Sequence, residues 1–197
     1  MSSRPASFSV PDEPRRRLAP ERVGIRLLER ADAERLLDLR RRSRTYLEPW
    51  EPARPESFFT LAGQRQVVDE LLARRSAGQV EPLVVSVDAA VAGCLTLSNI
   101  VQGSFRSCSL GYWVAEEYSG RGVAGEGVRL TLTRAFGELG LHRVEAATLL
   151  DNLASQAVLQ RNGFERIGLA PAYLSIAGRW QDHLLFQRTA AEAAGAR

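Results

Sequence analysis

Lysine is absent from the 197 residues, and all 26 positive charges are arginine. A Schiff-base lysine and the phosphate-binding lysine of a P-loop are therefore excluded. Cysteine is nearly absent as well. Cys94 and Cys108 are too few for a disulfide framework and have no histidine partners at ligand spacing, so both read as reduced, packed thiols and no metal is expected. His142 and His183 stand alone in the sequence and read as packed or surface residues. No apolar run approaches the roughly 18 residues of a membrane span. The opening stretch MSSRPASFSVPDEPRRRLAPER lacks the apolar centre of a secretory signal, so no membrane partner and a cytoplasmic location are expected.

What is present is ordinary globular composition, 45% hydrophobic and 25% charged, which suits one domain. Residues 1–20, rich in Pro, Ser and Arg, read as a flexible arm, 21–189 as the domain and 190–197 as a flexible tail. The net charge of +3 permits contact with ribosomal RNA or an acidic cofactor but mainly governs solubility and encounter. The cluster Arg40-Arg41-Arg42-Ser43-Arg44 reads as a solvated helix end, and no specific DNA contact is expected.

Periodicity predicts a strand over 22–28, a helix over 31–44, a proline-forced loop in YLEPWEPARPES and a helix over 60–77. The β-branched runs 82–87 and 91–97, joined by Asp88-Ala89-Ala90, predict a hairpin, and 107–115 continues the sheet. A helix to about Leu139, a strand over 142–150 and a short helix over 152–162 follow, the last capped by Asn152 and stopped by Gly163. Strands over 165–169 and 180–186 are expected to flank a loop, APAYLSIAG.

Between the third strand of that run and its helix lies EYSGRGVAGEG, whose GRGVAG satisfies the dinucleotide pattern G-x-G-x-x-G, with Glu145 twenty residues past Gly125. The context is wrong for a nicotinamide cofactor. Such a fingerprint joins the first strand of a parallel βαβ unit to its helix, whereas three antiparallel-looking strands precede this loop and Glu145 lies inside a strand. The loop still suits a phosphate, because Gly120, Gly122 and Gly125 expose backbone N–H groups at a helix start. A glycine-rich turn that merely starts a helix is the alternative.

Ser119-Gly120-Arg121-Gly122-Val123-Ala124 resembles the pyrophosphate loop Q/R-x-x-G-x-G/A of the GCN5-related N-acetyltransferases (GNAT), with Ser119 in place of the usual Gln or Arg. DNLASQAVLQRNGF resembles that family's N-x-x-S...G-F segment, and Val114 falls where the family splays a strand beside the pantetheine arm. The resemblance covers about residues 22–188. It sharpens in LEPWEPARPES, LSNIVQGSFRSCSLGYWV and YLSIAGRWQDHLL toward the RimJ/RimL-type branch, which acetylates N-termini of ribosomal proteins, here of the kind that begin with alanine.

This resemblance implies an α/β (α+β) GNAT fold, a mixed, largely antiparallel sheet of about seven strands flanked by helices. It implies an acyltransferase using acetyl-CoA, a protein N-terminus as acceptor, possible ribosome association and pairing of two copies through sheet edges. Coenzyme contacts are expected from Val114, Ser119, Gly120, Arg121, Gly122, Val123, Ala124, Gly125, Asn152, Ser155 and Arg161. An α-amino group titrates near 7.7–8.0, so such an acceptor needs little help to become neutral. The Val114 N–H is the implied donor to the thioester carbonyl, with an ordinary ladder bond as the alternative. Ser155 is the candidate general acid, with helix capping as the alternative. Glu51 and Asp182 are candidate bases, acting directly or through water; Ala172 stands where related enzymes often carry an acid. Trp50, Trp113, Tyr173 and Trp180 are candidate walls of the peptide groove, unless they are core. Two competing functions keep the same loop: acetylation of a polyamine or aminoglycoside, and a non-catalytic, ribosome-associated coenzyme-binding module.

Overall fold

A computed structural model describes residues 17–190; most of the expected arm, 1–16, and the tail from 191 lie outside the described residues. Seven strands form one sheet: β1 (Val23–Leu27), β2 (Glu81–Val87), β3 (Ala90–Val101), β4 (Ser107–Val114), β5 (Arg143–Leu149), β6 (Glu165–Ile176) and β7 (Arg179–Thr189). Their order is β1-β2-β3-β4-β5-β7-β6, and every neighbouring pair is antiparallel except β4 with β5. The expected mixed, largely antiparallel GNAT sheet is therefore present. Among the described residues, no helix is long and apolar enough to cross a membrane.

The helices are α1 (Asp32–Arg42), α2 (Arg44–Leu47), α3 (Leu61–Ser76), α4 (Val123–Thr133) and α5 (Leu153–Arg161). Strand alternation sorts the core onto the two faces of the sheet. Leu83, Val85, Leu95, Leu110, Val144 and Phe186 join Val128 and Leu132 of α4 and Leu159 of α5. Val84 and Val91 join Leu36 and Leu39 of α1 and Val68 of α3 on the opposite side. β2 is buried on both faces, which explains why Pro82, Leu83, Val84 and Val85 run apolar without alternating.

Local chemistry sets the element ends. Asp32 opens α1, accepting from the Glu29 N–H at 2.8 Å and from both ends of the Arg26 guanidinium at 2.7 and 2.6 Å. Thr60 accepts from the Gly63 N–H at 3.1 Å to cap α3, and Asn152 accepts from the Ser155 N–H at 3.1 Å to cap α5. Asp88 and Ala89 turn the β2–β3 hairpin with φ of 48° and 67°, the left-handed pair that a two-residue turn requires.

Two expectations are corrected. APAYLSIAG is not a loop between short strands: β6 runs through it to Ile176, with a bulge between Ala170 and Leu174 where Ala172 takes φ 45°. The bulge admits the extra residues, and this hid the strand from a period-two reading. Nor is the whole arginine cluster solvated, because Arg40 is 9% exposed. Arg41 donates to the Phe59 carbonyl, Arg42 to Asp38 and Glu117, and Arg44 to Glu56. The chain just before β1 is also tied to the domain: the Leu18 N–H donates to the Arg121 carbonyl at 2.9 Å, and Leu18 packs on the core.

Candidate active site

β4 and β5 pair only through Ser107, Cys108 and Ser109 against Arg143, Val144 and Glu145. Beyond that the strands part. β4 continues along β3 to Val114 and β5 continues along β7 to Leu149, so the facing edges of 110–114 and 146–149 border a wedge without a ladder. The Ala115 N–H donates to the Ala92 carbonyl at 2.9 Å, toward β3. Successive amides of a strand alternate sides, so the Val114 N–H faces the wedge.

The glycine loop lies at the mouth of that wedge. Gly120 and Gly122 have φ of 73° and 87°, and Gly122 begins α4 from a left-handed conformation that only glycine adopts without strain. No side chain caps α4, and its first turn closes with the Glu126 N–H on the Gly122 carbonyl at 3.0 Å. The amides of Val123, Ala124 and Gly125 therefore point out of the helix end with no partner among the described residues, where the helix dipole adds positive potential. The Gly125 carbonyl is held by Asn162 Nδ2 at 3.1 Å, which fastens α4 to the end of α5. The Ser119 hydroxyl does not face outward alone, because it shares a hydrogen bond of 2.8 Å with the Tyr46 hydroxyl of α2. Arg121 lies within the loop half-buried, whereas Arg161 is exposed at the last turn of α5.

Ser155 sits in the first turn of α5. Its N–H is the one that Asn152 caps, which leaves its hydroxyl for other work. That hydroxyl lies 2.8 Å from the Tyr112 hydroxyl, which also donates to the Ser155 carbonyl at 3.2 Å. Burial pushes the Tyr112 phenol up to about 12, only partly offset by its bond to Ser155. Tyr112 is a residue that sequence reasoning missed. It stands two residues before Val114 on β4, and period-two alternation alone would have put both side chains on one face. Thr148 of β5, buried beyond the point where β5 leaves β4, has no hydrogen-bond partner for Oγ1 among the described residues. A bare helix start that a phosphate fills and, beside it, strand edges left without a ladder fit a coenzyme with a pyrophosphate head and an amide-bearing arm.

A second cleft opens between the PWEP segment and the β6–β7 turn. It is lined by Arg40, Arg44, Glu48, Glu51, Arg54 and Phe59 with Ala177, whose N–H donates to the Glu51 carbonyl at 2.9 Å. Arg40 Nη1 donates to Glu51 Oε1 at 2.5 Å, with side-chain exposures of 11% and 18%. Its guanidinium carbon lies 3.7 Å from the Trp113 ring centroid, so Trp113 backs the cleft from beneath Arg40. Arg54 lies over Phe58, and burial pushes its pKa down from the ordinary arginine range.

Glu51 thus lines this cleft, while Asp182 does not: its Oδ1 accepts from the Ala172 N–H at 2.8 Å and pins the β6 bulge. Trp50 and Trp180 are exposed, and Tyr173 leans against buried His183 with ring centroids 5.5 Å apart. None of Trp50, Tyr173 and Trp180 lines the cleft. His183 Nδ1 is occupied by the Gln181 carbonyl at 2.9 Å.

The profile of the acetyltransferase (GNAT) domain family matches residues 22–165. The ribosomal protein uS5-alanine N-acetyltransferase of Escherichia coli is 34% identical over 178 residues, spanning 87% of this chain and 90% of that protein. The structure of Mycobacterium smegmatis RimJ in complex with CoA-disulfide superposes with a TM-score of 0.84 at 34% identity, covering 88% of this chain and 85% of that one. A ribosomal-protein-S5-alanine acetyltransferase from Vibrio fischeri superposes with a TM-score of 0.80 at 32% identity, over 85% of this chain and 93% of that one.

Proposed function

We propose, for a chain that belongs to the GNAT acetyltransferase family and is an acetyl-CoA-dependent N-acetyltransferase, that its acceptor is the N-terminal α-amine of a ribosomal protein beginning with alanine. The observation that carries this reading is the 34% identity to an enzyme named for that reaction, sustained over 87% of the chain. Its work is cytoplasmic, where ribosomal proteins are made.

In this reading the acetyl-CoA pyrophosphate rests on the amides of 123–125, and its arm lies in the wedge between β4 and β5. The Val114 N–H points at the thioester oxygen, where a fixed dipole counts most as negative charge develops. The acceptor nitrogen attacks the carbonyl carbon, the C–S bond breaks, and Ser155 passes a proton to the departing sulfur. The proton that the attacking nitrogen loses as it becomes the amide restores the Ser155 hydroxyl, so the step balances. Tyr112 stands one hydrogen bond behind that donor, giving its proton to the Ser155 carbonyl at 3.2 Å and meeting the Ser155 hydroxyl at 2.8 Å. It is a positioning residue, fixing the rotamer of the Ser155 hydroxyl. Tyr112→Phe is expected to lower kcat about threefold to tenfold with the acetyl-CoA KM little changed, whereas a merely structural role would lower the melting temperature and leave kcat intact.

Held by Arg40, Glu51 serves better as a fixed anion that orients the acceptor amine than as a base. A base is scarcely needed, so kcat/KM with an alanine-initiated peptide should rise with pH and level off above about 8, following the acceptor amine. Glu51→Gln is expected to raise the peptide KM several-fold while leaving the KM for acetyl-CoA unchanged. Steady-state kinetics in both substrates checks this.

The arginines of the cleft disfavour a polyamine or aminoglycoside. Arg40 and Arg44 are held by Glu51 and Glu56, but Arg54 has no ion pair among the described residues, so it meets a polycation with like charge and is placed to donate to a peptide carbonyl. Assays with synthetic peptides starting in alanine, serine or methionine, beside spermidine and an aminoglycoside, decide the matter. Preference for the alanine peptide supports the proposal. Faster turnover of a polycation would replace it, and tight acetyl-CoA binding without turnover on any amine would favour the non-catalytic module.

A further inference from the structure

Arg17 lies before the residues that the family profile matches, yet its side chain folds back onto the glycine loop. A Cβ built on Gly122 would lie 3.0 Å from Arg17 Nε and 3.2 Å from its Cγ. The backbone holds it there, because the next residue, Leu18, donates its N–H to the Arg121 carbonyl at 2.9 Å and packs on the core. Arg17 is exposed and has no ion pair with any described residue. With no carboxylate among the described residues to claim it, the guanidinium beside Gly122 stays available to an anion seated on the amides that follow.

A second feature of the same loop points the same way. At position 119 the chain has serine, too short to reach out of the loop, and its hydroxyl is engaged with Tyr46. The loop therefore offers backbone donors but lacks the long polar side chain that the first position of the resembling motif carries. We propose that Arg17 is a ligand of the coenzyme pyrophosphate, reaching across Gly122 from the segment before β1 and supplying the side-chain contact that Ser119 cannot make. The inference rests on the acetyl-CoA site described above. The guanidinium adds a charge-assisted bond to the amides of 123–125 and makes coenzyme affinity depend on a residue outside the recognised domain.

The test is calorimetry on the full chain with CoA and with dephospho-CoA, which keeps the pyrophosphate but lacks the 3′-phosphate. Steady-state assays with S-acetylpantetheine, which lacks both, complete it. Arg17→Gln should weaken CoA and dephospho-CoA equally, by about fivefold to tenfold, and leave kcat/KM for S-acetylpantetheine unchanged. Arg17→Lys should recover part of the loss as a point charge. Undiminished CoA affinity of Arg17→Gln would overturn the proposal. A loss confined to CoA would overturn it too, by placing the arginine on the 3′-phosphate, and an equal loss with S-acetylpantetheine would reduce Arg17 to a structural tie. Failure of the unaltered protein to bind CoA at all would instead strike the coenzyme site itself.

Discussion

Replacing Gly122 by valine is expected to lower acetyl-CoA affinity at least tenfold, about 1.4 kcal/mol. Gly122 starts α4 with φ 87°, and its bare Cα lets an anion approach the amides that follow. A branched side chain there obstructs the phosphate seat, pushes into Arg17, and disfavours the left-handed backbone that aims those amides. The backbone strain alone costs about 1–2 kcal/mol of stability, so the variant's folding is checked by its thermal transition before calorimetry. A folded variant with undiminished affinity would remove the pyrophosphate from this loop.

Ser155→Ala carries the largest expected effect on turnover, a fall in kcat of roughly a hundredfold with little change in the KM for acetyl-CoA, because general acid catalysis typically contributes 10² to 10⁴. The structure makes this substitution unusually clean. Asn152 caps α5 through the amide of Ser155, not its hydroxyl, and Tyr112 keeps the Ser155 carbonyl as a partner when the hydroxyl is gone. Little stability should therefore be lost. An unchanged kcat under conditions where chemistry limits the rate would end the role of Ser155 as proton donor, and would return its hydroxyl to packing with Tyr112.

The order of elements and the glycine loop were legible in the chain because their signals are local: β-branched runs, a cap at Asn152, glycines where the backbone must turn left-handed. The nicotinamide pattern failed for a reason that was also legible, namely the antiparallel strands before it. What stayed hidden depends on register and on contacts between distant segments. Tyr112 and Ser155 are 43 positions apart and meet only because β4 leaves β5 and opens a face to α5. Arg40 looked like part of a solvated run, but α1 lays it over the Trp113 ring, where it holds Glu51 of the PWEP segment. Asp182 looked equivalent to Glu51 as a carboxylate near the acceptor; a β6 bulge invisible to strand periodicity claims it instead. Arg17 looked like part of a featureless arm because nothing in its own neighbourhood announces Gly122.

The central claim, acetyl transfer to the N-terminus of a ribosomal protein, is tested most directly by intact-mass spectrometry of ribosomal proteins from cells with and without the gene. The predicted result is that one ribosomal protein beginning with alanine is lighter by the mass of a single acetyl group when the gene is absent, the difference mapping to its N-terminal residue and returning when the gene is restored. Identical masses for every ribosomal protein in the two strains, under conditions where the enzyme is produced, would contradict it.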